Sequence, residues 1–209
     1  MRFFVIFIFI VVLLSCLVFA QAPVDLPANP LYTFPGFTLG DYFGTNVVSG
    51  DVTGDGFDDL LVVSLGPVGT VRVYDGTTRQ ILYSVSNPTG LSSAGFGWSL
   101  VIIGDVNGDG KKDFAVGAVT QTQIASSMFY GAVFVHDGSS GNLLYTLSDN
   151  IVNSFFGSSI AALGDVNGNN VPDFAVGAYT LSNVGRVYLY DGSGYLINQI
   201  NPSSGRQFG

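Results

Sequence analysis

The sequence contains no glutamate and only two lysines, so all fifteen acidic residues are aspartates. Glu and Lys normally fill the solvent-facing side of helices, and their scarcity argues against a helical protein. Acidic residues outnumber the seven basic ones, and the net charge of −8 argues against nucleic acid as a partner because phosphates would repel the chain. Disorder is excluded as well, since 47% hydrophobic and 11% charged residues can form a buried core.

Cysteine is also scarce, and the one Cys lies in an apolar N-terminal run. Residues 3–20 follow the single positive charge of Arg2 and contain only one residue, Ser15, that is not apolar. This pattern predicts a secretory signal peptide, residues 1–20, cleaved after Ala20. Two alternatives are an uncleaved membrane anchor and a bacterial lipoprotein box at residues 13–16. Cleavage after Ala20 would remove Cys16, so a secreted form could make no disulfide and would need another means of stabilisation.

Internal repetition is the clearest signal in the rest of the chain. The dipeptide Phe-Gly occurs at residues 43, 96, 156 and 208, at spacings of 53, 60 and 52 residues. Each unit continues with an apolar run, an Asp-rich loop, a second apolar run, a variable loop, a Gly-x-Val run, an Asp-Gly turn and a last apolar run. Such constant order indicates repeated structural units.

Each unit is predicted to form four short strands. In the second unit they cover about Trp98–Ile103, Asp113–Val119, Ala132–His136 and Leu143–Leu147, segments rich in Val, Ile, Leu and aromatics. Four strands per repeat of about 55 residues are typical of β-propeller blades. The predicted fold is therefore all-β, with blades of four antiparallel strands. The predicted domains are the signal peptide, a Pro-rich lead-in at residues 21–40, and a propeller segment at 41–209 with blades at about 42–94, 95–154 and 155–207.

Three blades and the first residues of a fourth would make an open arc. Propellers usually close with four to eight blades, because closure hides strand edges. We therefore expect either a fragment of a larger propeller or an arc that other copies complete, with self-association through open blade edges.

Three aspartate-rich loops carry the most specific chemistry. They begin at Asp51, Asp105 and Asp165 and place oxygen side chains at positions 1, 3, 5 and 9. Such side chains can point inward together around a tight turn, and the carbonyl of position 7 can add a ligand, which suits a hard cation such as Ca²⁺. The candidate ligands are Asp51, Thr53, Asp55, Phe57 and Asp59; Asp105, Asn107, Asp109, Lys111 and Asp113; and Asp165, Asn167, Asn169, Val171 and Asp173, with Phe57, Lys111 and Val171 acting through their carbonyls.

The EF-hand is the obvious competing interpretation of these loops. It requires a Glu at position 12 and flanking helices, whereas position 12 is Val62, Val116 and Val176 here. The other alternative is that the Asp and Asn residues only form turns and bond their own backbone. Three loops in register favour the metal.

These motifs resemble FG-GAP repeats, as found in the β-propeller of integrin α subunits and in many bacterial surface proteins. The resemblance covers about residues 42–209 and rests on the Phe-Gly pairs, the Asp loops, and the pairs Gly117-Ala118 and Gly177-Ala178 where the family has Gly-Ala-Pro. The first repeat departs from it, with Val63-Ser64 at that place. In the third loop Asn170 replaces a glycine, which Asn can do because it tolerates positive φ. The resemblance implies calcium between the first and second strands of each blade, and an adhesion scaffold.

Strand alternation predicts two faces. The Asp loops and the Asp-Gly turns at residues 75, 137 and 191 should share one face, and the variable loops the other. The longest variable loop is predicted at Thr120–Tyr130 and ends in Met128-Phe129-Tyr130, which either anchors a partner or folds onto a neighbouring blade. Trp98 is predicted to be a core residue and His136 a structural residue of a strand. Lys111 and Lys112 are predicted to point outward.

The sequence predicts a non-enzymatic protein. It offers one His and no Cys after processing, so no nucleophilic triad can be built. We expect an extracellular calcium-binding module for adhesion or interaction, with a protein or glycan partner, either secreted or anchored at the cell surface through its N-terminal segment. The alternatives are a propeller portion of a larger secreted enzyme acting on polysaccharide or lipid-linked substrates, and a sugar-binding propeller that uses Trp98 and Tyr130.

Overall fold

The computed structural model describes residues 32–36, 39–92, 94–125, 128–179 and 185–201. The chain divides into two compact units, residues 1–35 and 36–209. In the first unit, the described residues 32–35 have no regular secondary structure, and the rings of Tyr32 and Phe34 meet edge to face with centroids 4.8 Å apart. The predicted signal peptide and most of the predicted lead-in lie outside the described residues.

The second unit is built from strands. They are β1 (Phe43–Gly50), β2 (Asp59–Ser64), β3 (Thr70–Tyr74), β4 (Ile81–Ser86), β5 (Phe96–Gly104), β6 (Asp113–Ala125), β7 (Met128–His136), β8 (Leu143–Leu147), β9 (Phe156–Gly164), β10 (Asp173–Ala178), β11 (Arg186–Tyr190) and β12 (Leu196–Ile200). Among the described residues, no helix is long and apolar enough to cross a membrane.

The strands form three separate four-stranded sheets, each in simple antiparallel order. Blade one contains β1–β4, blade two β5–β8 and blade three β9–β12. The predicted all-β fold of four-stranded blades is confirmed, and the three blades form an incomplete propeller. The valines at loop position 12 lie buried inside strands, so the EF-hand is ruled out here by structure as well.

The prediction of a long variable loop at Thr120–Tyr130 in blade two is wrong. Residues 120–125 extend β6 and residues 128–130 begin β7, with Thr122 paired to Tyr130 and Gln123 to Phe129. Backbone pairing in this β6–β7 hairpin thus continues as far as Ala125 and Met128. Its second strand is held to the connection between blades two and three, because the amide of Phe129 donates to the Asn153 side chain and the amide of Asn153 donates to the Phe129 carbonyl. This favours the alternative in which the hairpin folds onto the body of the molecule.

Two apolar cores lie between neighbouring blades. Val63, Val71 and Val73 of blade one pack with Phe96 and Phe134 of blade two. The opposite face of blade two packs in the same way on blade three. The blades are therefore stacked face to face, and each interface is a hydrophobic core that stabilises the fold by about 25 cal/mol per Å² of apolar surface buried.

The Phe-Gly pairs sit where blades approach most closely. Phe96 and Phe156 are buried, and each is followed by a glycine with positive φ, Gly97 at 96° and Gly157 at 86°. A Cβ on Gly97 would lie 2.4 Å from Cγ1 of Val63 in the preceding blade. The repeated dipeptide is thus an interface motif, in which Phe fills the core and Gly permits contact with the blade before it.

Burial falls off along the series of Asp loops. Each loop has a valine at position 2: Val52, Val106 and Val166. The first two of these pack beside the next blade. Val52 is fully buried, Val106 is partly buried, and Val166 is 53% exposed. Leu163 is likewise 40% exposed on blade three, whereas Ile103 is 2% exposed at the corresponding place in blade two. Within the described residues, the outer face of blade three is therefore an uncovered apolar surface.

Trp98 was predicted to be a core residue, and this is wrong. Its side chain is 52% exposed. The register between β5 and β6 shifts between Phe96 and Ser99, so the strand bulges at Trp98 and its ring points away from the core.

His136 is structural, as predicted. It is 2% exposed and stacks on Phe114 with ring centroids 5.3 Å apart, while Nδ1 lies 3.0 Å from the carbonyl oxygen of Gly141. Its Nε2 is buried and has no hydrogen-bond partner among the described atoms. Burial lowers the pKa of this imidazole below its ordinary value of 6.5, although the bond to Gly141 opposes the shift.

This burial predicts a pH dependence of stability. Below pH 6.5 the unfolded chain binds a proton more readily than the folded chain, so the stability contributed by neutral His136 is lost as pH falls towards the lower folded-state pKa. Urea unfolding between pH 7.5 and 5.5 should show a loss with a slope approaching about 1.4 kcal/mol per pH unit. His136→Tyr, which installs the residue of the sister repeats, should flatten that slope. An equal slope in both proteins would contradict the assignment.

Candidate metal centre

The three Asp loops connect the first and second strands of each blade and share one backbone path. Positions 4 and 6 have positive φ in every loop, at Gly54 and Gly56 in the first and Gly108 and Gly110 in the second. In the third loop Gly168 and Asn170 take these places, and Asn170 has a φ of 66°. The sequence prediction that Asn would adopt this conformation is confirmed. Left-handed residues at these positions turn the chain tightly around the position 1 side chain.

The position 1 carboxylates organise the turns. Asp51 accepts hydrogen bonds from the amides of Gly54, Asp55 and Gly56, at 2.6, 3.2 and 3.0 Å. Asp105 accepts from the amides at positions 4 and 6, and Asp165 from those at positions 4, 5 and 6. Each loop therefore holds a carboxylate at its centre.

These hydrogen bonds keep two of the carboxylates ionised. The amide of Asn170, with those of Gly168 and Asn169, lowers the pKa of Asp165 against a smaller opposing effect of desolvation. Desolvation raises the pKa of Asp51, but its three amide bonds together outweigh it, so the net shift is also downward. Negative charge is thus present in these loops at neutral pH, as a cation site requires.

The position 9 carboxylates differ because they are fully buried. Asp59, Asp113 and Asp173 are all 0% exposed. Asp113 accepts from the amides of Val106 and Gly138, at 2.9 and 3.0 Å. Burial raises the pKa of Asp113, although these two bonds oppose the shift. Position 9 therefore ties the loop to the body of the blade.

The side chains at position 5 accept backbone hydrogen bonds within the loops. Oδ1 of Asp55 accepts from the amide of Phe57 at 2.9 Å, and Oδ1 of Asp109 accepts from that of Lys111 at 2.8 Å. In the third loop Asn169 accepts from the amide of Val171 in the same way. These bonds hold the amide of position 7, the residue whose own carbonyl is the candidate ligand. The aromatic ring of Phe57 itself is 61% exposed, so only its backbone belongs to the candidate site.

Lys111 does not simply point outward as predicted. It is half-buried, and its Cγ would lie 3.2 Å from a Cβ added to Gly54 of the preceding loop. The aliphatic part of the side chain therefore lies along the neighbouring loop. Lys112 is exposed, as expected.

The donors suit calcium in kind. Within the described ranges, no three His, Cys, Asp or Glu side chains converge closely enough to hold a metal ion. The candidate donors are oxygens of Asp, Asn and Thr together with one carbonyl, which match the preference of Ca²⁺, whereas zinc would take His or Cys. The residues of the first loop that would hold an ion are Asp51, Thr53, Asp55, Phe57 and Asp59, with the equivalent five in each of the other loops.

The Asp-Gly turns take part in this site, a role that the sequence pattern did not predict. The amide of Gly76 donates to Asp59 at 3.1 Å, as that of Gly138 does to Asp113. These contacts also confirm that the Asp loops and the Asp-Gly turns share a face. The signal in the sequence was the constant presence of Asp-Gly in all three repeats, which turn formation alone does not demand.

A groove lies at the other ends of the strands, near the variable connections. Its first part is a cavity of about 410 Å³ lined by Tyr42, Leu65, Pro67, Phe96 and Trp98 with glycines 40, 66 and 95. A smaller cavity of about 220 Å³ shares Gly95 and Trp98 and extends to Phe155 and Tyr179. Tyr42 is 71% exposed, and its backbone has a φ of 51°, an uncommon conformation for an aromatic residue.

Three four-stranded blades, stacked face to face and each carrying an aspartate loop between its first two strands, define a β-propeller segment built from acidic-loop repeats. The FG-GAP-like repeat model matches residues 51–116, and the FG-GAP repeat model matches residues 156–190. The blades of this chain are therefore FG-GAP repeats.

Similarity to integrin α subunits shows that this propeller segment is integrin α-like. Integrin alpha-5 of Xenopus laevis is 32% identical over 200 residues, which cover 82% of this chain and 18% of that protein. Integrin alpha-PS2 of Drosophila melanogaster is 33% identical over 179 residues, which cover 74% of this chain and 12% of that protein. The chain thus spans less than a fifth of the length of these relatives. Among solved structures, rhamnogalacturonan lyase YesW matches with a TM-score of 0.51 and 16% identity, covering 78% of this chain and 35% of that one, which is a likeness of fold alone.

Proposed function

We propose that this chain is an extracellular, calcium-binding FG-GAP propeller module that mediates adhesion or protein interaction. The observation that carries the proposal is the same loop built three times, with left-handed residues at positions 4 and 6, a central carboxylate at position 1 and a buried carboxylate at position 9. Oxygen-bearing side chains at positions 1, 3, 5 and 9 in every copy are the ligand types with which a short loop binds Ca²⁺.

The extracellular location is supported by two features. Residues 3–20 have the composition of a secretory signal, and the similar proteins are integrin α subunits. We propose secretion after cleavage at Ala20, with anchoring at the cell surface through the N-terminal segment as the alternative.

The face opposite the Asp loops is the proposed interaction surface. Tyr42 and Trp98 expose large rings beside a concave apolar groove, and exposed aromatics frequently anchor a partner. The proposed partner is an extracellular protein or glycan.

Calcium should stabilise the fold. Extracellular modules of this chemistry bind calcium with dissociation constants of about 10⁻⁴ to 10⁻³ M. At ten times that constant each site adds about 1.4 kcal/mol to the free energy of unfolding. Differential scanning calorimetry with added CaCl₂ should therefore show a rising melting temperature that EGTA reverses.

The three sites should not be equal. Loops one and two each have carboxylates at positions 1, 5 and 9, whereas loop three has Asn169 at position 5, so loop three should empty first. Asn169→Asp should raise its affinity, with Asn198→Asp on β12 as a control for added charge. A melting temperature indifferent to calcium, with MgCl₂ as the ionic-strength control, would reject the calcium proposal.

Glycan binding is a second candidate function, favoured by the exposed Trp98 in the groove. Aromatic faces stack on the C–H faces of sugars. The chain contains one Trp, so its fluorescence reports directly on this groove. A spectral shift on titration with oligosaccharides, absent in Trp98→Ala, would support it, and an unchanged spectrum across a glycan panel would oppose it.

The proposed module is not an enzyme. Its one imidazole lies in the core between blades and cannot reach a substrate. The alternative is that the module accompanies a catalytic domain acting on polysaccharide or lipid-linked substrates in a longer protein.

Self-association is proposed through the uncovered apolar face of blade three. Light scattering after size-exclusion chromatography should show oligomers of the chain, and Leu163→Asp on that face should shift them towards monomer. A monodisperse monomer of the unaltered chain would contradict this proposal.

A further inference from the structure

The aspartate loops of blades two and three are in contact with the preceding blade. Gly138, in the Asp-Gly turn of blade two, is enclosed between two loops: a Cβ placed on it would lie 1.8 Å from the carbonyl oxygen of Lys112 and 3.0 Å from Cβ of Val52. Lys112 belongs to the loop of the same blade and Val52 to that of blade one. The turn glycine therefore joins the loops of adjacent blades.

The same relation recurs one blade further on. A Cβ on Gly192 would lie 2.5 Å from the carbonyl oxygen of Pro172 in loop three and 3.0 Å from Cγ1 of Val106 in loop two. At Gly76 of blade one, the nearest atoms belong to its own loop, with the carbonyl oxygen of Asp58 at 1.9 Å. The contact between loops thus repeats at both described blade interfaces, whereas the three nearest atoms at Gly76 all belong to blade one.

A tyrosine of the preceding blade completes each contact. The hydroxyl of Tyr83, on the last strand of blade one, donates to the carbonyl of Gly138. That of Tyr145, on the last strand of blade two, donates to the carbonyl of Gly192 at 2.5 Å. Each of these tyrosines pairs with the second-last residue of the third strand of its own blade. In blade three the residue at this place is Asn198.

These bonds form a continuous path from one blade to the metal loop of the next. Tyr83 bonds the carbonyl of Gly138, the amide of the same residue bonds buried Asp113, and Asp113 bonds the amide of Val106 at position 2 of loop two. Removing the tyrosine hydroxyl would free the turn that orients Asp113.

We infer that the calcium sites of loops two and three are positioned by the preceding blade through the Tyr–Gly pairs 83–138 and 145–192, so that calcium binding and blade docking stabilise each other. The inference rests on the proposed calcium function. Tyr83 and Tyr145 act as positioning residues that touch no ion. Linkage requires the effect to run both ways, so calcium in loop two should tighten the contact between blades one and two.

The test measures one loop at a time in the full chain expressed in a secretory host. A background that retains only loop two carries Asp51→Asn, Asp55→Asn and Asp165→Asn, and one that retains only loop three carries Asp51→Asn, Asp55→Asn, Asp105→Asn and Asp109→Asn. Titration calorimetry with CaCl₂ gives the dissociation constant with and without Tyr83→Phe, which removes only the hydroxyl. Tyr83→Phe should raise the calcium dissociation constant of loop two about fivefold, the equivalent of one neutral hydrogen bond. It should leave the dissociation constant of loop three unchanged.

Tyr145→Phe provides the crossed control. It should weaken calcium binding by loop three and leave unaltered that of loop one, measured in a third background that carries Asp105→Asn, Asp109→Asn and Asp165→Asn. If the two tyrosines were purely structural, each Tyr→Phe variant would lower the melting temperature without weakening calcium binding in one particular loop. If the backgrounds bind calcium and Tyr83→Phe changes loops two and three equally or not at all, the inference is wrong while the calcium function stands. If no background binds calcium, the proposed function itself fails.

Discussion

Gly157→Ala should destabilise the chain by about 2–5 kcal/mol, the combined cost of a side chain at positive φ and of overpacking against rigid backbone. Gly157 has a φ of 86°, and a Cβ there would lie 2.7 Å from the carbonyl oxygen of Ala132 and 3.1 Å from Cγ2 of Val133. Both atoms belong to blade two, so the new methyl group would force blades two and three apart. Urea unfolding measures the loss.

Gly44→Ala is the matched control. Gly44 follows the first Phe of the series and has nearly the same φ, 87°, but a Cβ there would meet no atom within 4 Å. Gly44→Ala should lower the free energy of unfolding only by the cost of a side chain at positive φ, about 1–2 kcal/mol. Equal losses for the two variants would show that the Phe-Gly glycine is needed for its backbone conformation alone and not for blade contact.

Asp113→Ala should cost about 2–5 kcal/mol even in EGTA, because the buried amide of Gly138 and the half-buried amide of Val106 would both lose their acceptor. Position 9 therefore has a structural role that precedes any metal. In calcium the variant should also lose the added stability of loop two. Thermal unfolding in EGTA and in CaCl₂ separates the two effects.

The comparison variant is Asp109→Ala at position 5 of the same loop. Asp109 is exposed and accepts one amide bond, from Lys111. In EGTA its loss should stay below about 1 kcal/mol, as is usual for surface positions, whereas in calcium it should remove the stabilisation of loop two. If Asp113→Ala were as mild as Asp109→Ala in EGTA, the buried carboxylate would not support the blade.

Much of the fold could be predicted because it is repeated. Phe-Gly, the Asp loop and the Asp-Gly turn recur at constant offsets. The positive φ of Asn170 could be predicted because glycines 56 and 110 occupy the same position in the other two loops. Two local features could not be predicted. The extension of β6 and β7 depends on Asn153, far along the chain, and the exposure of Trp98 depends on a bulge that composition does not mark.

The candidate site could be predicted as a set of residues but not as an arrangement. Alternation of oxygen side chains identified the loops, yet it did not distinguish the central carboxylate of Asp51 from the buried one of Asp59. That difference arises from the Asp-Gly turn, which lies about twenty residues away in sequence and meets the loop only after the blade has folded. The tyrosine of the preceding blade is more distant still, and only the packing of blades reveals it.

The measurement that tests the central claim most directly is the number of calcium ions bound per chain. Equilibrium dialysis against ⁴⁵Ca²⁺ at concentrations up to 10 mM, about ten times the weakest constant expected for extracellular modules, covers the relevant range. We predict three ions per chain, falling to two when Asp105→Asn and Asp109→Asn disable loop two. No bound calcium at 10 mM would contradict the account and leave the loops as turns.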